Sequence, residues 1–114
     1  VMEGAALAPE AIRDGIPFGE VPAEEAAAYF AANPDHLILD VRTDAEWRNG
    51  HIAQAVHIDV NELESRLDEL PKDKNAPIVC ICAMGGRSAA ACGMLFEAGY
   101  TRLTNVPGGM THYT

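Results

Sequence analysis

The chain has 114 residues, 48% of them hydrophobic, with 8 basic side chains against 17 acidic ones and a formal net charge of −9. That length suits a single domain able to bury a core without disulfide or metal staples. The scattered basic residues exclude a nucleic-acid surface, which needs clustered Lys and Arg. No apolar run approaches the roughly 18 to 20 residues of a membrane span.

No basic n-region followed by an apolar stretch marks a signal peptide, although a leader removed before Val1 is left open. Three cysteines, an odd number, make a poor disulfide framework and suit a reducing compartment, so a cytoplasmic location is expected. One thiol is expected to do chemistry. Cys80 and Cys82 are placed on opposite faces of one apparent strand, with Cys80 and Cys92 packed inside.

Residues 1–17 read as an N-terminal extension or linker, broken by Pro9 and closed by Gly15 and Pro17. The domain proper is expected over residues 18–114. Phe18 to Val21 reads as a short strand. Pro22 opens a helix, Ala23 to Ala32, with Glu24 and Glu25 in its first turn, and Asn33-Pro34 stops it. Leu37 to Val41 is a short continuous apolar run, the pattern of a strand buried on both faces.

Thr43 or Asp44 caps a helical turn through Trp47, ended by Asn49-Gly50. Ala55 to Ile58 is the next strand. Asn61 is expected to cap a helix carrying Leu63, Leu67 and Leu70, terminated by Pro71. After a polar turn, Ile78 to Ile81 reads as a strand and Ser88 to Ala98 as a helix with Gly99 at its C′ position. Arg102 to Val106 is the last strand, before Pro107-Gly108-Gly109. Strands alternating with helices imply βαβ units and a parallel sheet covered on both faces, so the fold class is α/β.

The run Ile78 to Ser88 carries the chemistry. An apolar strand delivers Cys82 to a glycine-bearing loop, and Arg87-Ser88 open a helix. Unpaired backbone N–H groups at a helix start, with the helix dipole, favour negative charge there. A cysteine so placed tends toward the thiolate, which is the reactive form. Gly85 and Gly86 allow the backbone to fold back so that N–H groups converge as an anion nest, and Arg87 adds a positive charge.

Four residues, Ala83 to Gly86, separate Cys82 from Arg87. Cysteine-dependent phosphatases carry Cys-x5-Arg, so a small phosphatase or arsenate reductase is disfavoured. A nest smaller than phosphate suits a smaller guest, such as one extra sulfur atom.

Leu39-Asp40-Val41-Arg42, Glu46, Gly50-His51-Ile52, Ala55, Cys82-x-x-Gly85-x-Arg87-Ser88, Gly99-Tyr100 and Gly108-Gly109 occur in that order. Together they resemble the rhodanese, or sulfurtransferase, family over about Phe18 to Tyr113. The resemblance implies a five-stranded parallel sheet flanked by helices on both faces. It implies a sulfurtransferase that moves a sulfane sulfur from thiosulfate, or from a low-molecular-weight or protein persulfide, to a thiol or cyanide-like acceptor. Cys82 would be catalytic and hold the sulfur as a persulfide. Ala83, Met84, Gly85, Gly86, Arg87 and Ser88 would bind it, with the loop N–H groups stabilising the anions. No metal or organic cofactor is implied, and neither nucleic acid nor membrane is an expected partner.

Asp40, Arg42 and Glu46 are read as ion-paired supports of the loop, since buried charges are normally paired. His51 is read as structural, holding the turn before the next strand. Ala83 and Met84 are uncharged where thiosulfate-using members often carry a basic residue, which turns attention to persulfide donors. Gln54 stands where the family usually has Gly, and Tyr113 where a Trp is common. The alternative to an enzyme is a non-enzymatic rhodanese-like binding, sulfur-sensing or carrier module.

Overall fold

The computed structural model describes residues 17–114. The expectation for the N-terminal extension therefore lies outside the described residues, Pro17 excepted. Five short strands form one parallel sheet: β1 Gly19–Glu20, β2 Leu37–Asp40, β3 Val56–His57, β4 Ile78–Ile81 and β5 Leu103–Asn105. Their order across the sheet is β1-β5-β4-β2-β3. The two longest apolar runs, β2 and β4, pair side by side in the middle, from Leu37 opposite Ile78 to Asp40 opposite Ile81. Parallel strands buried on both faces read as unbroken hydrophobic runs, and all four residues of β4 are buried.

The core divides at the sheet. On one face Leu39, Cys80, Cys82 and Leu103 pack with Ala91, Cys92 and Leu95 from helix α3, Gly86–Glu97. On the other face Ile38, Val79, Ile81 and Val106 pack with Ala26, Tyr29 and Phe30 from helix α1, Ala23–Ala32. Tyr113 also joins that second cluster, its ring centroid 6.4 Å from that of Phe30. Cys80 and Cys82 thus share a face, which corrects the expectation of opposite faces. Side chains alternate along a strand, so residues two apart point the same way.

Helix α1 follows the sequence reading at both ends. Pro22 precedes it at φ −58°, and the Asn33 amide donates to the Tyr29 carbonyl at 2.9 Å. Between β2 and β3 lies a short helix α2, Asp44–Arg48, and the chain closes on α4, Gly109–His112.

The segment Leu63–Glu69 differs from expectation: it is a 3-10 helix, not an α-helix capped by Asn61. Glu62 occupies the cap position, and the Asn61 N–H donates to Asp59 Oδ1. Tight i to i+3 bonds from Glu62 to Asp59 and from Leu63 to Val60 start the turn. At Arg66 the backbone leaves helical geometry (φ −122°, ψ 22°), and its guanidinium pairs with both Glu62 and Glu69. Leu63 and Leu70 still reach the core.

Candidate active site

Parallel strands end together, and the register sets which residues meet at that edge. Asp40 closes β2 opposite Ile81 and His57, and Cys80 lies opposite Asn105 at the end of β5. Cys82 follows β4 at the same carboxyl edge, where open α/β sheets bind ligands. The step from β4 into α3 is made at Gly85, whose φ of +108° is a left-handed conformation that L side chains rarely adopt. Helix α3 begins at Gly86, two residues before the expected Ser88, because Gly85 itself serves as the N-cap.

The Cys82 sulfur sits inside a ring of donors. The Gly85 N–H reaches Sγ at 3.0 Å and the Ser88 N–H at 3.3 Å, with the Ser88 hydroxyl oxygen also at 3.3 Å. The loop carbonyls are engaged elsewhere. Cys82 O accepts from Met110 N at 2.8 Å, Ala83 O from Thr111 N at 2.9 Å and Met84 O from Gly108 N at 3.2 Å. Holding these carbonyls away leaves the N–H groups to converge on sulfur, the geometry of an anion nest.

Gly109 makes the latch possible, since a Cβ there would lie 2.3 Å from Cys82 O. Burial works against the Cys82 thiolate, but the Ser88 hydroxyl and the N–H groups of Ser88, Gly85 and Met84 outweigh it. The thiol is held below its ordinary range.

Each remaining site residue named from sequence has a definite place. Asp40 and Arg42 form a buried bidentate pair, Nε to Oδ1 at 3.0 Å and Nη2 to Oδ2 at 2.8 Å. The same Nη2 donates to Gly50 O at 2.8 Å, tying the turn after α2 to the strand end. Glu46 closes a capping box with Thr43 at the start of α2 and binds Arg87 through both carboxylate oxygens, at 2.8 and 2.9 Å. Arg87 foremost, then the Thr43 N–H, hold the Glu46 carboxyl at about 2, and Glu46 in turn raises Arg87.

His51 is held by Trp47. Its Nδ1 donates to Trp47 O at 2.8 Å, and its ring stacks on Trp47 at 3.5 Å. His57 stacks nearby on the same indole, 4.8 Å between centroids. Ala83 is partly buried, Gly86 exposed, and Met84 projects at 69% exposure as an apolar lip beside Cys82. The Cys92 thiol is hydrogen-bonded to the free thiol of Cys80 inside the core, and that contact with burial pushes it well up, the reverse of Cys82.

The sequence reading passed over Asn105. Its Oδ1 accepts from the Ser88 hydroxyl at 2.5 Å and its Nδ2 donates to Gly85 O at 3.3 Å. The available signal was an amide side chain in the last position of β5, at the sheet edge where Cys82 emerges. The contribution of Met110 and Thr111 is by backbone N–H alone, which no side-chain pattern reveals.

Comparison with known proteins agrees with this geometry. The family model described as a rhodanese-like domain matches residues 22–114. The chain is 35% identical over 91 residues to a sulfurtransferase of Allochromatium vinosum, covering 80% of this chain and 83% of that one. It is 40% identical over 79 residues to the putative sulfurtransferase YtwF of Bacillus subtilis, covering 69% and 74%. A crystal structure of a rhodanese-related protein from Thermoplasma volcanium superposes with a TM-score of 0.67 at 34% identity, over 76% of this chain and 85% of that one. With its family match, its relatives and its parallel sheet in agreement, the chain belongs to the rhodanese-like domain family.

Proposed function

We propose that this protein is a sulfurtransferase that carries a sulfane sulfur as a persulfide on Cys82. One observation carries the reading: a sulfur atom ringed by the N–H groups of Met84, Gly85 and Ser88, with the loop carbonyls turned outward. Such a ring favours an anion, and both the thiolate and its persulfide are anions.

In the first half-reaction the Cys82 thiolate attacks the terminal sulfur of a donor RS–S−. A new S–S bond forms on Cys82, the donor S–S bond breaks, and RS− leaves to take a proton from water. In the second, an acceptor thiolate attacks the outer sulfur, and Cys82 departs as the original thiolate. One sulfur moves and no outside oxidant or reductant is needed.

The preferred donor is a persulfide of a small thiol or of a partner protein's thiol. Two observations favour it over thiosulfate. Arg87, the cation of the loop, is already bound by Glu46, and Met84 at the mouth is apolar. The three free cysteines suit work in a reducing compartment.

The test is intact mass after incubation with thiosulfate, 3-mercaptopyruvate or cysteine persulfide. A gain of about 32 Da, one sulfur atom, that is absent in Cys82→Ser is the expected result. No gain with any donor would overturn the reading. Sulfur loading without turnover to thiol or cyanide acceptors would instead favour a carrier or sensing module.

A further inference from the structure

Ser88 has one hydroxyl proton and three acceptors around it. Its Oγ lies 2.5 Å from Asn105 Oδ1, 3.2 Å from Gly85 O and 3.3 Å from Cys82 Sγ. Gly85 O is the weakest claimant, since it already accepts from the Ala89 N–H at 3.1 Å and from Asn105 Nδ2. That last bond fixes the Asn105 amide, so its oxygen must face Ser88. Asn105 and Ser88 are both buried, so no bulk water relieves the competition.

We propose that Asn105 is a positioning residue that decides, by holding or releasing the single Ser88 hydroxyl proton, whether Cys82 keeps its own proton. With Cys82 as a thiol, S–H donates to Ser88 Oγ and Ser88 donates to Asn105 Oδ1, so every group is satisfied. With Cys82 as a thiolate, the hydroxyl proton must turn to sulfur, leaving two oxygen lone pairs opposed across 2.5 Å, or stay on Asn105 and point oxygen at the anion. Either arrangement makes the thiolate harder to form.

When Cys82 carries a second sulfur, the charge moves to the outer atom and the Ser88 proton returns to Asn105. The brake is chemically useful. Thiolate nucleophilicity falls as thiol acidity rises, and the best attacking thiol titrates near ambient pH. Released from Asn105, the Ser88 hydroxyl would add to the backbone ring and drive the thiol further down.

The charged groups in reach act from other elements. Arg87 of α3 couples electrostatically to Cys82, and Glu46 of α2 and Asp59 after β3 both face Arg87. None of these is altered by a change at Asn105.

The proposal rests on Cys82 as the reacting sulfur, but its test reads the thiol itself and not sulfur transfer. The midpoint of the pH–rate profile for iodoacetamide alkylation would be measured in the wild type, Asn105→Leu, Ser88→Ala and the double variant. Asn105→Leu should lower the midpoint by about one pH unit, the scale of one charge-assisted hydrogen bond regained by the thiolate. In the Ser88→Ala background the same change should do nothing.

Asn105→Ala, which only removes atoms, runs alongside in case Leu is not accommodated, and the same fall is expected. If Asn105 merely buttressed the loop, its loss would loosen the N–H ring and raise the midpoint. A rise, no change, or an equal fall without the Ser88 hydroxyl would overturn the proposal.

Discussion

Glu46 and Arg87 stand 41 positions apart in the chain and meet through two parallel hydrogen bonds of 2.8 and 2.9 Å. The pair joins the start of α2 to the first turn of α3 and cancels the cation of the cysteine loop. Both partners shift in the direction of mutual stabilisation, with Glu46 held near 2 and Arg87 raised. Neither is deeply buried, so the pair matters more for the charge it presents to a donor than for stability.

Substituting Glu46→Gln tests that charge. Gln retains the capping box of α2, which accepts Glu or Gln at this position. It removes the negative charge and frees Arg87 to meet an anion. The ratio of kcat/KM for thiosulfate to that for cysteine persulfide should rise roughly fivefold, about 1 kcal/mol of differential binding. A ratio that stays at the wild-type value would show that the pair does not govern donor charge.

The same carboxyl makes an acid-side prediction. Its folded-state value of about 2 lies below its ordinary 4.5, so the folded state binds this proton less readily than the unfolded one. The resulting stability is fully present above pH 4.5 and is lost as pH falls through about 2. Solvent screening at this half-exposed site keeps it to roughly 1 kcal/mol. Urea midpoints from pH 5 to pH 2.5 should fall less steeply in Glu46→Gln than in the wild type, and parallel curves would refute this assignment.

The cysteines should separate by reactivity. Cys82 sits in the donor ring with its acidity enhanced, whereas Cys80 and Cys92 are buried free thiols hydrogen-bonded to each other. In native protein a chromogenic disulfide reagent should titrate one thiol quickly near neutral pH, and all three after unfolding. Native Cys82→Ser should show no fast phase. Two fast thiols in the wild type would mean that the core opens readily around Cys92.

The strands, α1 and the cysteine loop were legible because local chemistry decides them. Leu37 to Leu39 and Ile78 to Ile81 are continuous apolar runs, and Pro22 and Asn33-Pro34 punctuate α1. The Leu63–Glu69 segment was not legible. Its leucine spacing suits an α-helix, but the tight turn from Asp59 and the Arg66 bridge to Glu62 and Glu69 impose a 3-10 path. Asn105 and the backbone latch from Gly108 to Thr111 escaped because their roles arise only when β5 and the terminal turn are laid beside the Cys82 loop.

His36 offers a second pH response, with the opposite chemistry. Its ring is buried against Tyr29, whose hydroxyl meets Nδ1 at 3.2 Å, and burial lowers its pKa below the ordinary 6.5. Asp35 opposes that shift, and Arg102 adds to it. The unfolded chain therefore takes up this proton first. Stability from His36 is complete above pH 6.5 and declines as pH falls below it. His36→Gln should flatten the dependence of the unfolding midpoint between pH 7.5 and 5.5. An undiminished slope would assign it to another group.

Two glycines on either side of the site should respond oppositely to alanine. Gly109 has a φ of +53°, and an added Cβ would meet Cys82 O at 2.3 Å and the Ala83 carbonyl carbon at 2.6 Å. These are backbone atoms fixed by hydrogen bonds from Met110 and Thr111, so they cannot rotate aside as a side chain would. Gly109→Ala should cost roughly 2–4 kcal/mol by forcing the latch open. With the latch open, the loop carbonyls are free to turn toward sulfur, and thiol alkylation near neutral pH should slow.

Gly93 lies inside α3 with nothing within 4 Å of its added Cβ. There alanine should stabilise by about 0.5–1 kcal/mol, through helix propensity alone, and leave alkylation unchanged. Denaturant melts and alkylation rates on the two variants give the comparison. A tolerated Gly109→Ala with normal thiol reactivity would mean that the terminal turn does not set the orientation of the cysteine loop.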